Sequence, residues 1–530
     1  MSETGAQSRE RVPVSAPAIT LQPAIPPHRM LVTVCTILAT LMQSLDSTIA
    51  NVALPYMQGT MSASQDEINW VLTSYIVAAA IMTAPVGFLA SRFGRTRLFV
   101  TSVVGFTLAS ILCALAQSLD QIVLFRIIQG AFGAALTPLS QAVMFDIYPA
   151  ERRGSAMALW GMGVMVGPIL GPTLGGWLTE NYNWRWVFYI NVPFGVLTAT
   201  GLLMFLRETP RTGAARLDWL GFGVLSLAVG SFQMMLDRGE LLDWFSSKEI
   251  IVEAGLAGLG FYCFLVQLSG APRPFLSPRL FKDVNFVVGI TFIFVVGLIL
   301  YATLALLAPY LQILMNYPVV TAGVVLAPRG IGTMAAMMVC GWLVGKRVNT
   351  RLLVAIGFLA TAYALYDMMS WTPEISEWTI AGAGFIQGAS IGFVFVPLST
   401  ITFATLPAEL RTQATGVFSL VRNLGSAIGI SVTSALLVSN TQVNHAQIAD
   451  GVTPFNRSLW SGAVAHYWDP GQLRGAAMLN DVITRQANAI AYTDDFKLML
   501  ILALCSLPLV LLIRPERRRI AGNGHAAVIE

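Results

Sequence analysis

The chain has 530 residues, of which 55% are hydrophobic and only 11% are charged, and its net charge is +4. Because soluble domains carry about 25% charged residues, this composition excludes an ordinary soluble protein. The apolar residues form blocks of about twenty, the length that crosses the hydrocarbon core of a bilayer. They run continuously rather than alternating with polar residues, which excludes barrel strands and predicts a polytopic helical membrane protein.

Fourteen apolar blocks are candidates for membrane helices. Because lipid offers no hydrogen-bonding partners, each spanning segment must satisfy its own backbone groups as a helix. The predicted spans lie near residues 31–56, 68–90, 98–116, 121–145, 155–178, 186–206, 217–236, 249–268, 284–312, 321–344, 352–370, 376–403, 413–438 and 493–513.

The positively charged residues orient these spans. If the N-terminus lies in the cytoplasm, most of the 32 Lys and Arg residues fall in cytoplasmic segments, as the positive-inside rule requires. One missed or extra span would move many of these positive charges to the outer side and remove the asymmetry. We therefore predict that both termini are cytoplasmic and that residues 440–494 form the only long outer segment.

An internal repeat relates the two ends of the chain. The sequence "ALPYMQ" at 53–58 nearly recurs as "LAPYLQ" at 307–312, and "GFLASRFGRTRLFV" at 87–100 aligns with "GWLVGKRVNTRLLV" at 341–354. The first six predicted spans therefore correspond to the last six, with two inserted between them. Two parallel six-helix repeats are typical of transporters that hold their substrate between the halves.

The repeat predicts an all-α membrane protein with fourteen helices arranged as 6 + 2 + 6. We expect a cytoplasmic tail at 1–29, an N-terminal six-helix bundle at 30–208, an inserted two-helix segment at 209–270, a C-terminal six-helix bundle at 271–515 that carries the outer loop at 440–494, and a cytoplasmic tail at 516–530.

Four motifs, taken in order, resemble those of the major facilitator superfamily, and within it the fourteen-span drug:proton antiporters of EmrB/QacA type. "LDSTIANVALP" at 45–55 resembles the first-helix motif, and "LFRIIQGAFGAA" at 124–135 resembles the fourth-helix motif. "GFLASRFGRTR" at 87–97 resembles the signature of the loop between spans two and three. "GMGVMVGPILGPTLGG" at 161–176 resembles the antiporter motif of the fifth helix.

The resemblance assigns a conformational role to the loop signature and a sealing role to the antiporter motif. In the loop, Ser91 stands where the family usually carries an acidic residue, which weakens the expectation of a cytoplasmic charge lock between helices. Small residues four apart allow a neighbouring helix to approach closely, so ordinary packing would produce the same glycine pattern. The loop residues are Gly87, Ser91, Arg92, Gly94, Arg95 and Arg97, and the motif residues are Gly163, Gly167, Pro168, Gly171, Pro172, Gly175 and Gly176.

Two charged residues within predicted spans belong to the first half alone. Asp46 corresponds to Leu300 in the repeat, and Arg126 corresponds to Gly384. A charge at the centre of a membrane helix costs about 2.5–3.5 kcal/mol, so such residues are rarely idle. Burial disfavours a carboxylate relative to its neutral acid, and we predict that Asp46 is the proton site. Arg126 is predicted to tune a nearby carboxylate or to bind an anionic group. A purely structural pairing is the alternative for each.

A central substrate cavity is predicted from polar and aromatic residues on the helices that face it. Its predicted lining is Gln43, Gln129, Tyr301, Tyr310, Gln312, Phe385, Gln387, Arg422 and Asn423. Taken singly, each aromatic or amide residue fits a core or lipid-facing position equally well. For Arg329, function and snorkelling to the interface remain open. Glu253 in the inserted span eight is either a second proton carrier or a residue near the outer interface, and the second interpretation is favoured for it and for Asp367.

These features together imply a proton-driven exporter of hydrophobic or amphipathic compounds in the bacterial inner membrane. An exporter of one metabolite or fatty acid with the same fold is the alternative. The resemblance also implies a periplasmic membrane-fusion adaptor and an outer-membrane channel as partners. We expect lipid and small amphipathic substrates as further partners, no nucleic acid, no metal, and no cofactor beyond the proton gradient. "GWLVGK" at 341–346 lacks the spacing of a phosphate-binding loop, so we predict neither an enzyme nor ATP drive.

Overall fold

All regular secondary structure in the described part of the protein is helical. The computed structural model describes residues 28–208, 218–271, 274, 276–346, 348–453, 456 and 472–513, so the predicted tails lie almost entirely outside the described residues. The main helices are α1 (Arg29–Met61), α2 (Trp70–Thr83 with Val86–Phe93), α3 (Arg95–Leu115), α4 (Leu119–Gly133 with Leu136–Ile147), α5 (Arg153–Asn181), α6 (Trp186–Tyr189 with Asn191–Phe205), α7 (Trp219–Arg238), α8 (Lys248–Gly270), α9 (Val284–Pro309 with Tyr310–Leu314), α10 (Val319–Gly345), α11 (Thr350–Met368), α12 (Glu377–Ala404), α13 (Ala408–Ala449) and α14 (Leu473–Ser506).

Every predicted span coincides with one of these helices. Thirteen of them are long and apolar enough to cross a membrane, and α2 becomes the fourteenth if its two pieces form one span. The pieces meet at a bend of 58° around Ala84 and Pro85. Proline lacks a backbone N–H and crowds the preceding turn, which explains a break at this position. The prediction of an all-α polytopic fold is therefore confirmed, and the orientation of the termini stays a prediction.

The helices of the two halves pair in the same way. In the first half, α1 packs against α5 and α2 packs against α4. In the second half, α9 packs against α13 and α10 packs against α12, which are the corresponding pairs of the repeat. The inserted helices α7 and α8 pack against each other, and α7 also contacts α2 and α13. Because corresponding helices pack in the same way, the centre of α1 in the first half and the centre of α9 in the second half have equivalent positions within their bundles.

The halves meet along α5 and α10. Gly161 on α5 faces Met337 on α10, where an added Cβ would lie only 2.8 Å from the methionine sulfur. Further along the same pair, Gly330 on α10 packs against Ile169 on α5. Glycines at both contacts let the two backbones approach closely, so the halves share a long common seam.

The ends of α13 and α14 extend well past the predicted spans. Outside them the two helices run side by side, with Thr441 Oγ1 donating to Asn488 Oδ1 at 2.9 Å and His445 Nε2 3.1 Å from Asn480 Oδ1. Within the predicted outer loop at 440–494, residues up to Ala449 and from Leu473 onward are therefore helical. Residues 454–455 and 457–471 lie outside the described part of the chain.

Candidate functional site

Asp46 lies at the centre of a polar cluster inside the first half. Its carboxylate is fully buried and accepts hydrogen bonds from three side chains on two other helices. Arg126 Nη1 donates to Asp46 Oδ2 at 2.7 Å, while Gln129 Nε2 and Asn191 Nδ2 donate to Oδ1 at 2.8 and 2.9 Å. The cluster therefore joins α1, α4 and α6 around one carboxylate, as expected for a charge held away from lipid.

Arg126 completes this cluster with partners of its own. Its Nε donates to the Val71 carbonyl at 3.0 Å, and its Nη1 also donates to Gln129 Oε1 at 2.9 Å. The guanidinium carbon lies 4.2 Å from the centre of the Tyr75 ring and 5.7 Å from that of Phe188. A cation over an aromatic face is stabilised by the ring quadrupole. The guanidinium therefore has several favourable contacts besides the carboxylate.

Arg126 thus lies beside a carboxylate, the structural pairing named as the alternative for Asp46 is present, and Gln129 belongs to this cluster rather than to an open cavity. Removing one member of a buried ion pair leaves an uncompensated charge and costs about 3–5 kcal/mol. Gln43, one turn before Asp46, instead accepts a hydrogen bond from Thr137 on α4. Asn191 was not identified from the sequence, although it is a polar residue within an apolar run, which is the signal that could have found it.

The glycine ridge of α5 faces α1 directly. A Cβ added at Gly167 would lie 2.5 Å from Ser44 Oγ and 2.7 Å from the Ser44 carbonyl carbon. At this close approach Ser44 Oγ donates to the Val164 carbonyl at 2.9 Å, and Thr48 Oγ1 donates to the Gly167 carbonyl at 3.2 Å. The ridge therefore holds the helix that carries Asp46 tightly against the helix that contacts the other half.

The second half carries a buried arginine without a carboxylate. Arg329 on α10 is only 5% exposed, so snorkelling to the interface is excluded for it. Its Nη2 donates to the Leu300 carbonyl at 3.2 Å, and its Nη1 is buried with no hydrogen-bond partner. Among the residues that the structure describes, no carboxylate lies within ion-pair distance of this guanidinium. Leu300 is the residue that corresponds to Asp46 in the repeat.

A small cavity adjoins Arg329 within the second half. It has a volume of about 20 Å³, enough for one water-sized group. Gln387 lines it, is 1% exposed, and has neither its amide nitrogen nor its amide oxygen hydrogen-bonded. The remaining lining is largely apolar and consists of Val296, Ile299, Leu300, Phe358, Thr361, Ile391 and Val394. Gln387 was predicted to line a cavity, and the structure places it at this one.

A second cavity of about 20 Å³ lies between the halves. Its walls include Val164 and Met165 of α5 on one side and Tyr301 of α9 and Arg422 of α13 on the other. Arg422 Nη2 reaches the Asn423 side-chain oxygen only at 3.5 Å, and its Nε is buried without a partner. The predicted residues Tyr301, Arg422 and Asn423 thus lie at or beside the seam of the two halves.

Three other predicted lining residues lie elsewhere. Tyr310 is buried in an aromatic cluster, with its ring centre 5.8 Å from that of Trp371 and its hydroxyl donating to the Thr372 carbonyl at 3.2 Å. Gln312 is exposed in the π-helical turn that ends α9, and Phe385 is 43% exposed on α12. None of the three lines either cavity, because helical periodicity points each of them to a different face.

Two acids assigned to positions near the interface also lie outside both cavities. Glu253 on α8 is only 7% exposed, and its Oε2 has no hydrogen-bond partner among the described residues. Asp367 lies at the end of α11, where Trp371 Nε1 donates to its Oδ2 at 3.3 Å. Within the described residues, no group of His, Cys, Asp and Glu side chains is arranged to hold a metal ion.

A charge lock joins the halves at the end where α4 and α13 approach each other. Asp146 at the end of α4 pairs with Arg95, and its other oxygen accepts from Arg411 Nη1 of α13 at 2.9 Å. Ser91 donates only to the Phe88 carbonyl of its own helix. The doubt raised by Ser91 is therefore resolved by a different acid, because Asp146 supplies the negative charge that bridges the two halves.

The remaining residues of the loop signature lie where the end of α2 packs closely against α13 and the chain turns into α3. Gly87 lies against α13, where an added Cβ would be 2.6 Å from the Cα of Gln413. Gly94 has a φ of 93°, a backbone conformation that favours glycine. Arg92 and Arg97 are exposed, and Arg97 Nε lies 3.8 Å from Glu208 Oε2. The two glycines therefore shape this joint, while the two exposed arginines contribute little to it.

Comparison with known proteins identifies one family. Residues 36–430 match the family model of the Major Facilitator Superfamily. Among solved structures, the fold resembles the crystal structure of the human organic anion transporter MFSD10 (TETRAN), with a TM-score of 0.55 and 14% sequence identity. That alignment covers 90% of this chain and 100% of the other. At this identity the likeness concerns the fold alone.

Two curated relatives are similar over nearly their whole length. The chain is 36% identical over 509 residues to the multidrug export protein EmrB of Escherichia coli (strain K12), covering 94% of this chain and 98% of that protein. It is also 36% identical over 492 residues to the fatty acid resistance protein FarB of Neisseria gonorrhoeae, covering 92% and 96%. Both relatives match this chain across both halves and the inserted helices.

Proposed function

The chain belongs to the Major Facilitator Superfamily and to its EmrB-type exporters, and from this premise we propose that it is a proton-coupled efflux antiporter for hydrophobic and amphipathic compounds. It is a multi-pass protein of the bacterial inner membrane and a transporter rather than an enzyme. The observation that carries the proposal is the buried Asp46, which has a complete set of partners inside the first half.

We propose that Asp46 is the carboxyl group that binds and releases the coupling proton. When Asp46 is neutral, Arg126 still donates to Gln129 and to the Val71 carbonyl and still lies over the Tyr75 ring. Protonation of Asp46 keeps these contacts but removes the counter-ion of the buried guanidinium, at a cost of about 3–5 kcal/mol. Because each transport cycle passes through both protonation states of a coupling site, substrate binding or movement of the halves must offset this cost.

Alternating access requires a seam between the halves that can open and close. The Asp146 lock closes one end of this seam, which we propose is the cytoplasmic end. Asp146 and Arg411 are each partly exposed, so their pair is stabilised only weakly, by about 0–1 kcal/mol. A weak lock between rigid bundles is suited to reversible rocking of one repeat against the other.

The proton gradient supplies enough energy for export. One elementary charge that crosses 100 mV releases about 2.3 kcal/mol. A tenfold concentration ratio requires about 1.4 kcal/mol, so one proton per substrate supports more than a tenfold gradient. Energy from the gradient is therefore sufficient without ATP.

We also propose that the outer ends of α13 and α14 are the docking point of a periplasmic adaptor, which links the transporter to an outer-membrane channel. The paired helices with their Thr441–Asn488 and His445–Asn480 contacts form an elongated outer extension. Such an extension is suited to contact a partner outside the bilayer. Cross-linking from residues introduced at His445 would test this proposal, and capture of no adaptor in cells that contain one would contradict it.

The test of the transport proposal is reconstitution of the purified protein in vesicles with an imposed pH gradient. A panel of neutral, cationic and anionic amphipathic compounds is offered, and accumulation is followed with the gradient present and after a protonophore collapses it. We expect gradient-dependent accumulation of several compounds together with measurable proton movement. Accumulation that is unaffected by collapse of the gradient would contradict proton coupling.

A second candidate function is export of fatty acids or of one related metabolite. The relative named for fatty acid resistance is as similar to this chain as the relative named for multidrug export. The same vesicle panel separates the two candidates, because a fatty acid exporter would move long-chain carboxylates and leave the cationic compounds behind.

A further inference from the structure

We propose that Arg329 and Gln387 form a subsite that binds the carboxylate head group of an amphipathic substrate. This inference rests on the proposed transport function and narrows its substrate class to compounds that include amphipathic acids. The subsite lies inside the second half, beside the cavity between α9, α10, α11 and α12.

The first line of support is the unbalanced charge of Arg329. In the first half, the buried Arg126 is neutralised by Asp46 at 2.7 Å. In the second half, Arg329 Nη2 donates to the Leu300 carbonyl, and its buried Nη1 has no hydrogen-bond partner among the described residues. Buried charges are normally paired, so an orphan guanidinium in the described residues indicates that an anion completes it.

The repeat shows that the fold itself does not require an arginine at this position. In the repeat Arg329 corresponds to Tyr75, because these two residues are as far apart in the sequence as Asp46 and Leu300. The packing agrees, because a Cβ at Gly130 would contact the Tyr75 carbonyl and one at Gly388 would contact the Arg329 carbonyl. An uncharged side chain fills this place in the first half. The second half has a cation there, which an architectural role does not explain.

Gln387 provides the second unpartnered group at the same cavity. In the repeat Gln387 corresponds to Gln129, because these two residues are as far apart in the sequence as Arg126 and Gly384. Gln129 donates its amide hydrogen to the Asp46 carboxylate, whereas the Gln387 amide has no partner among the described residues. The first half therefore surrounds its own carboxylate with an arginine and a glutamine. The second half presents the same two donor types around a vacant space of about 20 Å³.

The subsite is next to the central crevice. Its cavity shares Val296, Leu300 and Ile391 with the cavity between the halves. Arg422 lines the second cavity and adds another cation without a carboxylate partner in the described chain. Because the seam cavity holds only about 20 Å³, an apolar substrate body would enter it after the halves separate, with its head group passing Leu300 and Ile391 to reach Arg329.

The chemistry selects a carboxylate over other head groups. An arginine presents a planar set of N–H donors that match carboxylate oxygens, and the Gln387 amide adds one more donor. The cavity holds about one water-sized group, which suits a carboxylate oxygen and excludes a bulky head group. A quaternary ammonium head group would meet two like charges, Arg329 and Arg422, and would be repelled from this site.

The test measures equilibrium binding of radiolabelled dodecanoate to the full-length protein in lipid nanodiscs, with empty nanodiscs subtracted. Dodecanol and dodecyltrimethylammonium serve as neutral and cationic probes of the same chain length. We expect Arg329→Met to weaken dodecanoate binding about tenfold or more, since it removes a charge-assisted hydrogen bond. Binding of the other two probes should change less than about twofold.

Arg185→Met is the matched control, because Arg185 Nη2 also donates to a main-chain carbonyl, that of Ala116, at 3.2 Å. It removes the same charge and the same type of hydrogen bond outside the cavity, and binding should be unchanged. Gln387→Leu should weaken dodecanoate binding alone, by roughly threefold to tenfold. If Arg329→Met does not fold, Gln387→Leu decides the question, because Arg329→Lys would keep the cation.

Two results would overturn the subsite. One is dodecanoate affinity within about twofold of the wild-type value in the Arg329 and Gln387 variants, and the other is an equal loss for all three probes. Gradient-driven transport of the neutral or cationic probe by the wild-type protein would then leave the proposed function standing. Conversely, specific dodecanoate binding without any gradient-driven transport would contradict the proposed function and leave the subsite intact.

Discussion

The two halves of this protein share their helix pairing but not their charges. The first half encloses Asp46 with Arg126, Gln129 and Asn191, so its buried carboxylate has a counter-ion and two amide donors. The second half encloses Arg329 without a counter-ion in the described residues. Since the same architecture accommodates both arrangements, the charges are not needed to build the fold. The difference suggests a division of labour, with protons handled in one half and substrate in the other.

The strongest test of this comparison removes the carboxylate of the first half. Asp46→Asn cannot gain or lose a proton, so we expect pH-gradient-driven export in inside-out vesicles to fall by about a hundredfold or more. Asp46→Glu keeps a titratable carboxyl group and should retain part of the activity. Asp367→Asn is the control for loss of an acid outside both cavities. Full export by Asp46→Asn, with normal insertion into the membrane, would remove Asp46 from the mechanism.

The second test compares the two buried arginines. Arg126→Lys replaces a planar guanidinium that contacts Asp46, Gln129 and the Val71 carbonyl together, and lysine cannot reproduce this geometry. We expect about a tenfold loss of gradient-driven export for all substrates. Arg329→Lys should leave export of a neutral compound unchanged. Equal behaviour of the two variants would contradict the division of labour between the halves.

The third test gives the second half the acid that it lacks. Leu300→Asp places a carboxylate beside Arg329, at the position that corresponds to Asp46. An internal ion pair should then neutralise Arg329 and weaken dodecanoate binding about tenfold, while binding of dodecyltrimethylammonium is retained or improved. Leu300→Asn has a similar size without the charge and serves as the control. Unchanged dodecanoate affinity in Leu300→Asp would show that Arg329 does not bind the head group.

The fourth test addresses what the halves share. Gly167 lies against Ser44 and Gly425 lies against the Phe294 carbonyl, so an added methyl group at either would force two helices apart. We expect Gly167→Ala and Gly425→Ala each to lower the melting temperature by several degrees, a loss of about 1–3 kcal/mol. Gly176→Ala is the control, because its Cβ would lie 4.0 Å from the nearest atom, on Val52. A neutral effect at Gly167 would show that the ridge is loosely packed.

The smallest expected effect concerns the lock that joins the halves. Asp146→Asn removes the charge shared by Arg95 and Arg411 and should shift the protein toward states in which this end is open. The measurement is the labelling rate of a cysteine introduced by Ala158→Cys, at a buried position that lies against Gly341 across the seam. We expect labelling to become about fivefold faster, consistent with a partly exposed pair of about 1 kcal/mol. Arg92→Gln, at an exposed site, should change nothing.

Much of the fold followed from local patterns. Apolar length and charge bias predicted the spans, and the repeat predicted which helices correspond, because these properties are written along the chain. Asp46 and Arg126 could be singled out since each is a charge in an apolar run and each is missing from the other half. The broken α2 was less predictable, because Pro85 by itself does not set the size of a bend.

The contacts between distant helices could not be predicted in the same way. The Asp146–Arg411 pair depends on how the halves are placed against each other, which no local pattern encodes. Tyr310 and Gln312 are close in sequence to true lining residues, but the helix rotation at the end of α9 points them elsewhere. Arg329 could have been found from the sequence. The repeat pairs it with the uncharged Tyr75, which shows that the fold does not need a charge at this position.

The length of α13 has a mechanical consequence for the proposed transport cycle. With 42 residues it forms a rod of about 63 Å, roughly twice the hydrocarbon thickness of a bilayer. A small tilt of the second bundle about a pivot at the membrane centre therefore sweeps the far tip through a much larger arc. A partner protein bound at that tip would be displaced in each transport cycle. A partner that resists this displacement would slow transport from outside the bilayer.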